Sequence, residues 1–345
     1  MKENFILIDF LYINSGGGKK ILETILYRLS ENYLNNYFFL FDSRLKLSKS
    51  FDDVKNYLKI EPSERSRKSF YKKNKNIFSS VFCMSNVPPP IKLKVNVFVY
   101  FHNDLLLKPL ASNLKLKFRM FNLIKKYYIL INNKAEYSWI VQTKLMKSKV
   151  EKSLNIKSNK ISVLPIFSLE GNYSVSKEKN KFLYVSNFSK HKNHFNLFKA
   201  FIDASYHFKD RVELHLTIDK SIYGASFYAN TKLPENLKIV NHGELNYNDL
   251  SKLYASSEYF IFPSLNESFG LPLVESVNMG CKVIASELEY VKQVINPSLT
   301  FNPNLVKSIS VSIIRAVREE QKASKIIIEN KIDTFIEYLS KNVKK

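Results

Sequence analysis

Apolar residues in this chain gather in short runs, and the stretches between them carry a helical rhythm. In the first half, Phe5 to Leu11, Phe38 to Phe41, Phe78 to Met84, Val95 to Phe101, Ser138 to Gln142 and Lys160 to Leu164 read as strands. Val95 to Phe101 is apolar at successive positions, which predicts a strand buried on both faces, as in a parallel sheet. Helical patterns run from Lys19 to about Tyr33 and from about Leu106 to Leu130. Asp42 to Asn76 is polar and very basic and shows no pattern, and Pro88-Pro89-Pro90 breaks the chain. In the second half, strands at Phe182 to Val185, Val212 to Ile218, Leu237 to Val240, Tyr259 to Phe262 and Lys282 to Ala285 alternate with helical patterns at about Asn193 to Phe208 and Tyr247 to Ala255. Val306 to Lys345 reads as mostly helical. Strand–helix alternation in both halves predicts an α/β chain of two doubly wound, Rossmann-like domains. The patternless stretch Pro165 to Asn180 is the expected linker, which sets domains at 1–168 and 175–325 and a terminal segment at 326–345.

A chain of 345 residues is long enough for two such domains, and its apolar content of 45% excludes disorder. The two cysteines, Cys83 and Cys281, lie far apart and form no zinc pattern, which fits a reducing, cytoplasmic compartment. The start, FILIDFLYI, lacks a cleavage site, and no apolar run reaches the roughly 18–20 residues that span a bilayer. Charge changes the picture more. Residues 1–170 carry 30 basic and 13 acidic side chains, the remainder 23 and 18, so most of the net +22 sits in the first half. Such a field favours an anionic partner: a lipid surface, nucleic acid or a phosphorylated substrate. Within it, Lys108 to Tyr128 sets Leu110, Leu114, Phe118, Phe121 and Ile124 at helical spacing among Lys115, Lys117, Arg119, Lys125 and Lys126. An amphipathic helix on an anionic membrane explains that pattern, and so does packing on the domain's own sheet.

The segment PSLNESFGLPLVE, Pro263 to Glu275, lies between the strands at Tyr259 to Phe262 and Lys282 to Ala285, with Pro272 placed to open a helix and Gly280 to close it. The loop therefore sits at the carboxyl end of a parallel strand, where such sheets bind ligands and a helix start offers bare N–H groups to an anion. Glu267 precedes the helix and Glu275 is expected in its first turn; carboxylates accept hydrogen bonds from paired sugar hydroxyls. Ser15 to Gly18 follow the first strand with three of the chain's eight glycines, which implies close backbone approach, yet the run is not a Walker loop, because Ile13 occupies the first glycine position, nor GxGxxG, because Ile21 stands where the last glycine belongs. His102 ends an apolar strand, where its ring could meet a ligand in a cleft; Thr143 could cap the next helix; His191 and His194 have no further ligands for a metal.

The run Glu267, Ser268, Phe269, Gly270, Leu271, Pro272, Leu273, Val274, Glu275, together with Gly243 and Gly280 around it, resembles the signature of the retaining glycosyltransferases of family 4, the group 1 glycosyltransferases. The resemblance covers the second half well and the first half loosely. It implies the GT-B fold, two Rossmann-like domains facing a central cleft, with the terminal helix returning to the first domain. It implies that Glu267 and the amides of Phe269, Gly270 and Leu271 grip a donor hexose and that Glu275 holds the nucleotide ribose. Lys192 then stabilises the departing diphosphate, while Asn187 stands where many relatives carry an arginine. Gly17 and Gly18 face donor phosphate and acceptor, and His102 serves the reacting centre. The implied chemistry is front-side displacement with no metal and no cofactor beyond a UDP- or GDP-linked sugar. The implied acceptor is a lipid-linked saccharide at the inner membrane face, as in O-antigen, capsule or exopolysaccharide synthesis. Another GT-B enzyme, an epimerase or phosphorylase, is the alternative. A nucleic-acid-binding protein would explain the charge and leave the Glu267–Glu275 unit unexplained, so nucleic acid is not an expected partner.

Overall fold

The computed structural model describes residues 4–30, 34–47, 54–107, 116–169, 175–225 and 231–341, with side chains of the helix from Leu116 described from Arg119 onward. Contacts divide the chain into Met1–Ser168 with Glu329–Lys345, and Leu169–Ile328. Strands of the first unit are β1 (Phe5–Asp9), β2 (Tyr37–Asp42), β3 (Tyr57–Ile60), β4 (Phe78–Cys83), β5 (Asn96–Tyr100), β6 (Ser138–Val141) and β7 (Ile161–Val163). They form one parallel sheet in the order β3-β2-β1-β4-β5-β6-β7. Helices α1 (Gly16–Ser30), α2 (Glu64–Asn74), α3 (Leu116–Asn132) and α4 (Lys144–Leu154) connect them. Alternate strand side chains divide between the faces: Ile6, Ile8, Phe39 and Phe82 join α1, while Leu7, Leu40, Val81 and Cys83 join α2 and α4. Both faces are covered, which is why the strands read as continuous apolar runs.

Ile332–Ser340 belongs to this unit. Its Ile332, Phe335 and Leu339 are buried in the α1-side core, and Phe335 meets Phe82 edge-on at 6.0 Å. Each such side chain contributes about 1.5–3 kcal/mol of burial. Asn330 Nδ2 donates to Phe167 O at 2.6 Å and Lys331 N to Pro165 O at 2.8 Å, which fixes where the helix enters.

The second unit is built on β8 (Glu178–Tyr184), β9 (Val212–Leu216), β10 (Leu237–Asn241), β11 (Ser257–Phe262), β12 (Lys282–Ser286) and β14 (Leu299–Phe301), parallel in the order β10-β9-β8-β11-β12-β14. A two-stranded antiparallel ribbon pairs β13 (Ile295–Asn296) with β15 (Lys325–Ile326). Helices are α5 (His194–Ser205), α6 (Lys220–Gly224), α7 (Tyr247–Ser256), α8 (Leu271–Asn278), α9 (Glu289–Lys292) and α10 (Val306–Arg318). In each sheet the strand order reverses once, between β1 and β4 in the first and between β8 and β11 in the second. Connections leave such a pair toward opposite faces, so the loops after those strands part and leave a crevice.

Several elements differ from expectation. The patternless stretch from Asp42 contains β3 and α2. Strand β8 begins at Glu178, so part of the supposed linker is sheet. Glycines 16–18 are the first turn of α1 rather than a loop before it, with Gly16 at φ +61. On α3, Phe121 and Ile124 are 53% and 64% exposed, so packing on the domain's own sheet does not account for them. Lys108, Leu110, Leu114 and Lys115 lie outside the described residues, as do the side chains of Lys117 and Phe118.

Candidate functional site

In the second unit the two loops at the reversal point are stitched together by buried polar groups. After β8 the chain makes a single 3-10 turn, Lys190–Lys192, and Asn193 leaves it in the left-handed region at φ +60, a conformation asparagine tolerates. The Asn193 amide donates to Pro263 O at 3.2 Å and Pro303 O at 2.7 Å. Leu265 N donates to His191 O at 2.8 Å. Tyr184 OH donates to Lys192 O at 2.7 Å and lies 3.2 Å from Ser264 Oγ, while Tyr290 OH donates to Ser264 O at 2.8 Å. This lattice aims two side chains at each other. Lys192 Nζ and Glu267 Oε1 are 2.6 Å apart, their side chains 15% and 14% exposed, with the ammonium 5.9 Å from the Phe262 ring centroid. An ion pair so withdrawn from water is far less screened than a surface pair.

Beyond Glu267 the chain turns into α8. Phe269 is buried and anchors the turn. Gly270 caps the helix at φ +88, and a Cβ there would also stand 3.0 Å from Leu273 Cδ1, so glycine is required on two counts. Leu271 and Pro272 open the helix; Leu273 N donates back to Gly270 O at 2.9 Å and proline has no N–H, so the amides this start can offer a ligand are those of Gly270 and Leu271. Glu275 is the fifth residue of α8, one turn later than its expected place in the first turn. Its Oε2 accepts from Tyr254 OH at 3.1 Å. Burial, then Glu275, pushes the Tyr254 phenol well up, so that hydroxyl remains a donor.

His194, at the start of α5, shares a 3.0 Å hydrogen bond with Ser186 Oγ, and burial followed by nearby Lys192 lowers its pKa to about 3. Burial lowers His191 as well. Among the described residues no cluster of three or more His, Cys, Asp or Glu is placed to hold a metal ion.

The first unit has its own cluster at its reversal point. A Cβ on Gly18 would lie 3.6 Å from His102 Cε1, so the glycine turn and the histidine meet. Gly17 stands beside Gly18 in the first turn of α1. Asn86, at φ +71 after β4, accepts from His102 N at 2.6 Å. His102 Nε2 lies 3.2 Å from both Met84 O, an acceptor, and Asn86 Nδ2, a donor, so either neutral tautomer finds a partner there. Burial lowers this imidazole to about 4, which keeps it neutral near pH 7. Thr143 Oγ1 caps α4 by accepting from Met146 N at 3.1 Å.

One group in this region had no sequence signal. Arg67 of α2 is fully buried with Asp9: its Nε donates to Asp9 Oδ2 at 2.9 Å, Nη1 to Pro88 O at 2.8 Å and Nη2 to Val87 O at 3.0 Å. It thereby pins the segment that presents Asn86. Tyr12, at φ +77 in the turn after β1, donates to Glu64 at the start of α2.

Comparison with known proteins assigns the second unit. The family described as "Glycosyl transferases group 1" matches residues 169–333. This segment belongs to the group 1 glycosyltransferases. A relative of the chain is the O-antigen chain mannosyltransferase RfbU of Salmonella typhimurium, 28% identical over 168 residues, which is 47% of this chain and 46% of that one. The chain thus spans less than half the length of that relative. Among solved structures, a glycosyltransferase from Rickettsia africae superposes with a TM-score of 0.65 at 18% identity, covering 99% of this chain and 94% of the other. The Anabaena protein HepE, solved with UDP and glucose, gives 0.64 at 13%, covering 92% and 90%. At such identities the likeness is one of fold, and the fold is GT-B.

Proposed function

We propose that this chain is a retaining, metal-independent glycosyltransferase that moves a hexose from a UDP- or GDP-linked donor to a saccharide acceptor. The observation that carries the reading is the Lys192–Glu267 pair at the reversal point of the second sheet, beside the glycine-capped start of α8. A cation fixed there suits the charge that develops on a leaving diphosphate. A carboxylate and backbone N–H groups beside it suit hexose hydroxyls, and Glu275 suits a ribose diol. Gly17, Gly18 and His102 form the acceptor-side set. The name of RfbU favours mannose as the hexose and a growing surface polysaccharide as the product. A panel of UDP-glucose, GDP-mannose and related donors, followed by NMR of the anomeric configuration, tests this. Transfer with inversion, or no donor turned over or bound, refutes it.

The acceptor in this reading is lipid-linked, at the inner membrane face. Support comes from α3, where Met120, Ile124, Tyr127 and Ile131 recur at helical spacing and are each more than half exposed, with Lys125 over the Phe121 ring at 4.5 Å. Among the described residues no helix is long and apolar enough to cross a membrane, so lipid contact would be by this face. Each Lys or Arg near an anionic surface contributes about 1 kcal/mol. Co-sedimentation should be strong with anionic vesicles, weak with neutral ones, and reduced by salt or by Ile124→Ser with Tyr127→Ser. Equal binding to both vesicle types, or none to either, returns the charge to composition alone.

A further inference from the structure

We propose that the Lys192–Glu267 ion pair is a release latch that makes the second unit hold an intact nucleoside-diphosphate sugar and reject the bare nucleoside diphosphate. The inference rests on the reading of Lys192 as the diphosphate's cation and Glu267 as the hexose's acceptor. Both groups are about six-sevenths withdrawn from water, and each satisfies the other at 2.6 Å. The backbones beneath them do not yield easily. Lys192 O is tied to Tyr184, Leu265 N to His191 O, and Pro263 O to Asn193. Rearrangement therefore falls on the two side chains.

A donor replaces this contact completely. Its diphosphate takes the ammonium, and its hexose hydroxyls donate to the carboxylate. A bare diphosphate replaces only half. It competes for Lys192 while leaving Glu267 shielded from water with no donor, and it brings its own negative charge toward that carboxylate. Once the hexose has departed, Glu267 therefore reclaims Lys192 and loosens the product. Lys192 alone would grip donor and product alike, and the latch supplies the difference between them. A carboxylate beside a phosphate site, unfavourable on electrostatic grounds, thereby gains a purpose that hexose recognition by itself would not require.

The test is equilibrium binding of UDP, GDP, UDP-glucose and GDP-mannose to the full chain and its variants. Removing the carboxylate's charge with Glu267→Gln should tighten the bare diphosphate by about three- to tenfold, the size expected for one partly shielded charge, while donor affinity stays level or falls. That gain should disappear in a Lys192→Ala background, because the latch acts by withholding Lys192. Glu267→Asp, which keeps the charge on a shorter arm, should lie between wild type and Gln, and serves if Gln does not fold. Should Glu267→Gln leave the bare diphosphate unchanged or weaker while Lys192→Ala weakens every nucleotide ligand, the latch is wrong and the reading of Lys192 stands. A gain that persists without Lys192 is general repulsion and likewise overturns the latch. If Lys192→Ala alters no ligand, the reading beneath the latch fails first.

Discussion

Replacing Arg67 by methionine should destabilise the first unit more than any other single change to an apolar side chain of similar size on α2. Arg67 and Asp9 are both fully buried. The guanidinium bonds Asp9 and the carbonyls of Val87 and Pro88, while Asp9 also accepts from Tyr71 OH at 2.8 Å and from Leu11 N at 3.0 Å. Methionine fills much of the volume but leaves a buried carboxylate with two neutral donors and no counter-charge. Breaking a buried pair from one side costs about 3–5 kcal/mol, and two carbonyls losing their donors push the figure toward the upper end. For a unit of this size each kcal/mol shifts Tm by about 2–4 °C, so a fall on the order of 10 °C or more is expected in a thermal melt. The second half of the experiment is Asp9→Leu combined with Arg67→Met. With both charges gone no unpaired carboxylate remains buried, so the double variant should recover part of the loss, while the carbonyls of Val87 and Pro88 and the donors Tyr71 OH and Leu11 N stay without their partners. Urea titrations of wild type, both single variants and the double variant give the coupling directly. A loss below about 1 kcal/mol for Arg67→Met, or a double variant as unstable as the two single losses added, would refute this account of the buried pair.

Lys192→Ala should lower kcat by about 10²–10³, the effect of removing one preorganised charge donor, and steady-state kinetics with a saturating donor will show it; normal turnover would assign the role elsewhere. Glu275→Ala should raise donor Kd by about tenfold or more through loss of charged hydrogen bonds to the ribose, read by calorimetry, and unchanged affinity in a folded variant would remove Glu275 from the site. His194 has an acid signature. Its folded pKa of about 3 lies below the ordinary 6.5, so the unfolded chain takes up the proton first. Its contribution to stability is therefore whole above about pH 6.5 and declines as pH falls toward 3, by at most about 1.4 kcal/mol per pH unit. The stability lost between pH 7.5 and pH 5 should shrink by about 1–2 kcal/mol in His194→Gln, and an unchanged loss would show that the ring is not held neutral.

What the sequence disclosed of the fold follows from which faces are buried. Strands such as β5 and β11 are covered on both sides, so their apolar runs are unbroken and legible. Strand β3 is an edge strand whose Tyr57 and Leu58 are 49% and 43% exposed, and it gives no such run. Helix α2 buries Arg67, Phe70 and Tyr71. That spacing is a proper helical stripe, but its first position is charged, and a charge read as solvated hides it. Strand β8 was shortened for the same reason: Lys181 is only 6% exposed, its ammonium bonded to Glu178 and Ser256. Glycines are poor helix formers, so a start of α1 at Gly16 is not what local preference predicts.

The site divides along the same line. The glutamates with seven residues between them, the glycine in that interval and the proline behind it are local, and local spacing carried them. The contact of Lys192 with Glu267 joins residues 75 apart in sequence. It depends on β8 and β11 being neighbours, which is a matter of sheet order and leaves no period in the chain. Sequence reasoning accordingly gave the lysine to a phosphate and the glutamate to a sugar as separate assignments. Once the two strands lie side by side the groups share a single space, so under the proposed reading a ligand that draws on one also acts on the other. If the proposed roles hold, the diphosphate and the hexose bind as coupled events, since the free energy of engaging one group includes that of loosening its partner.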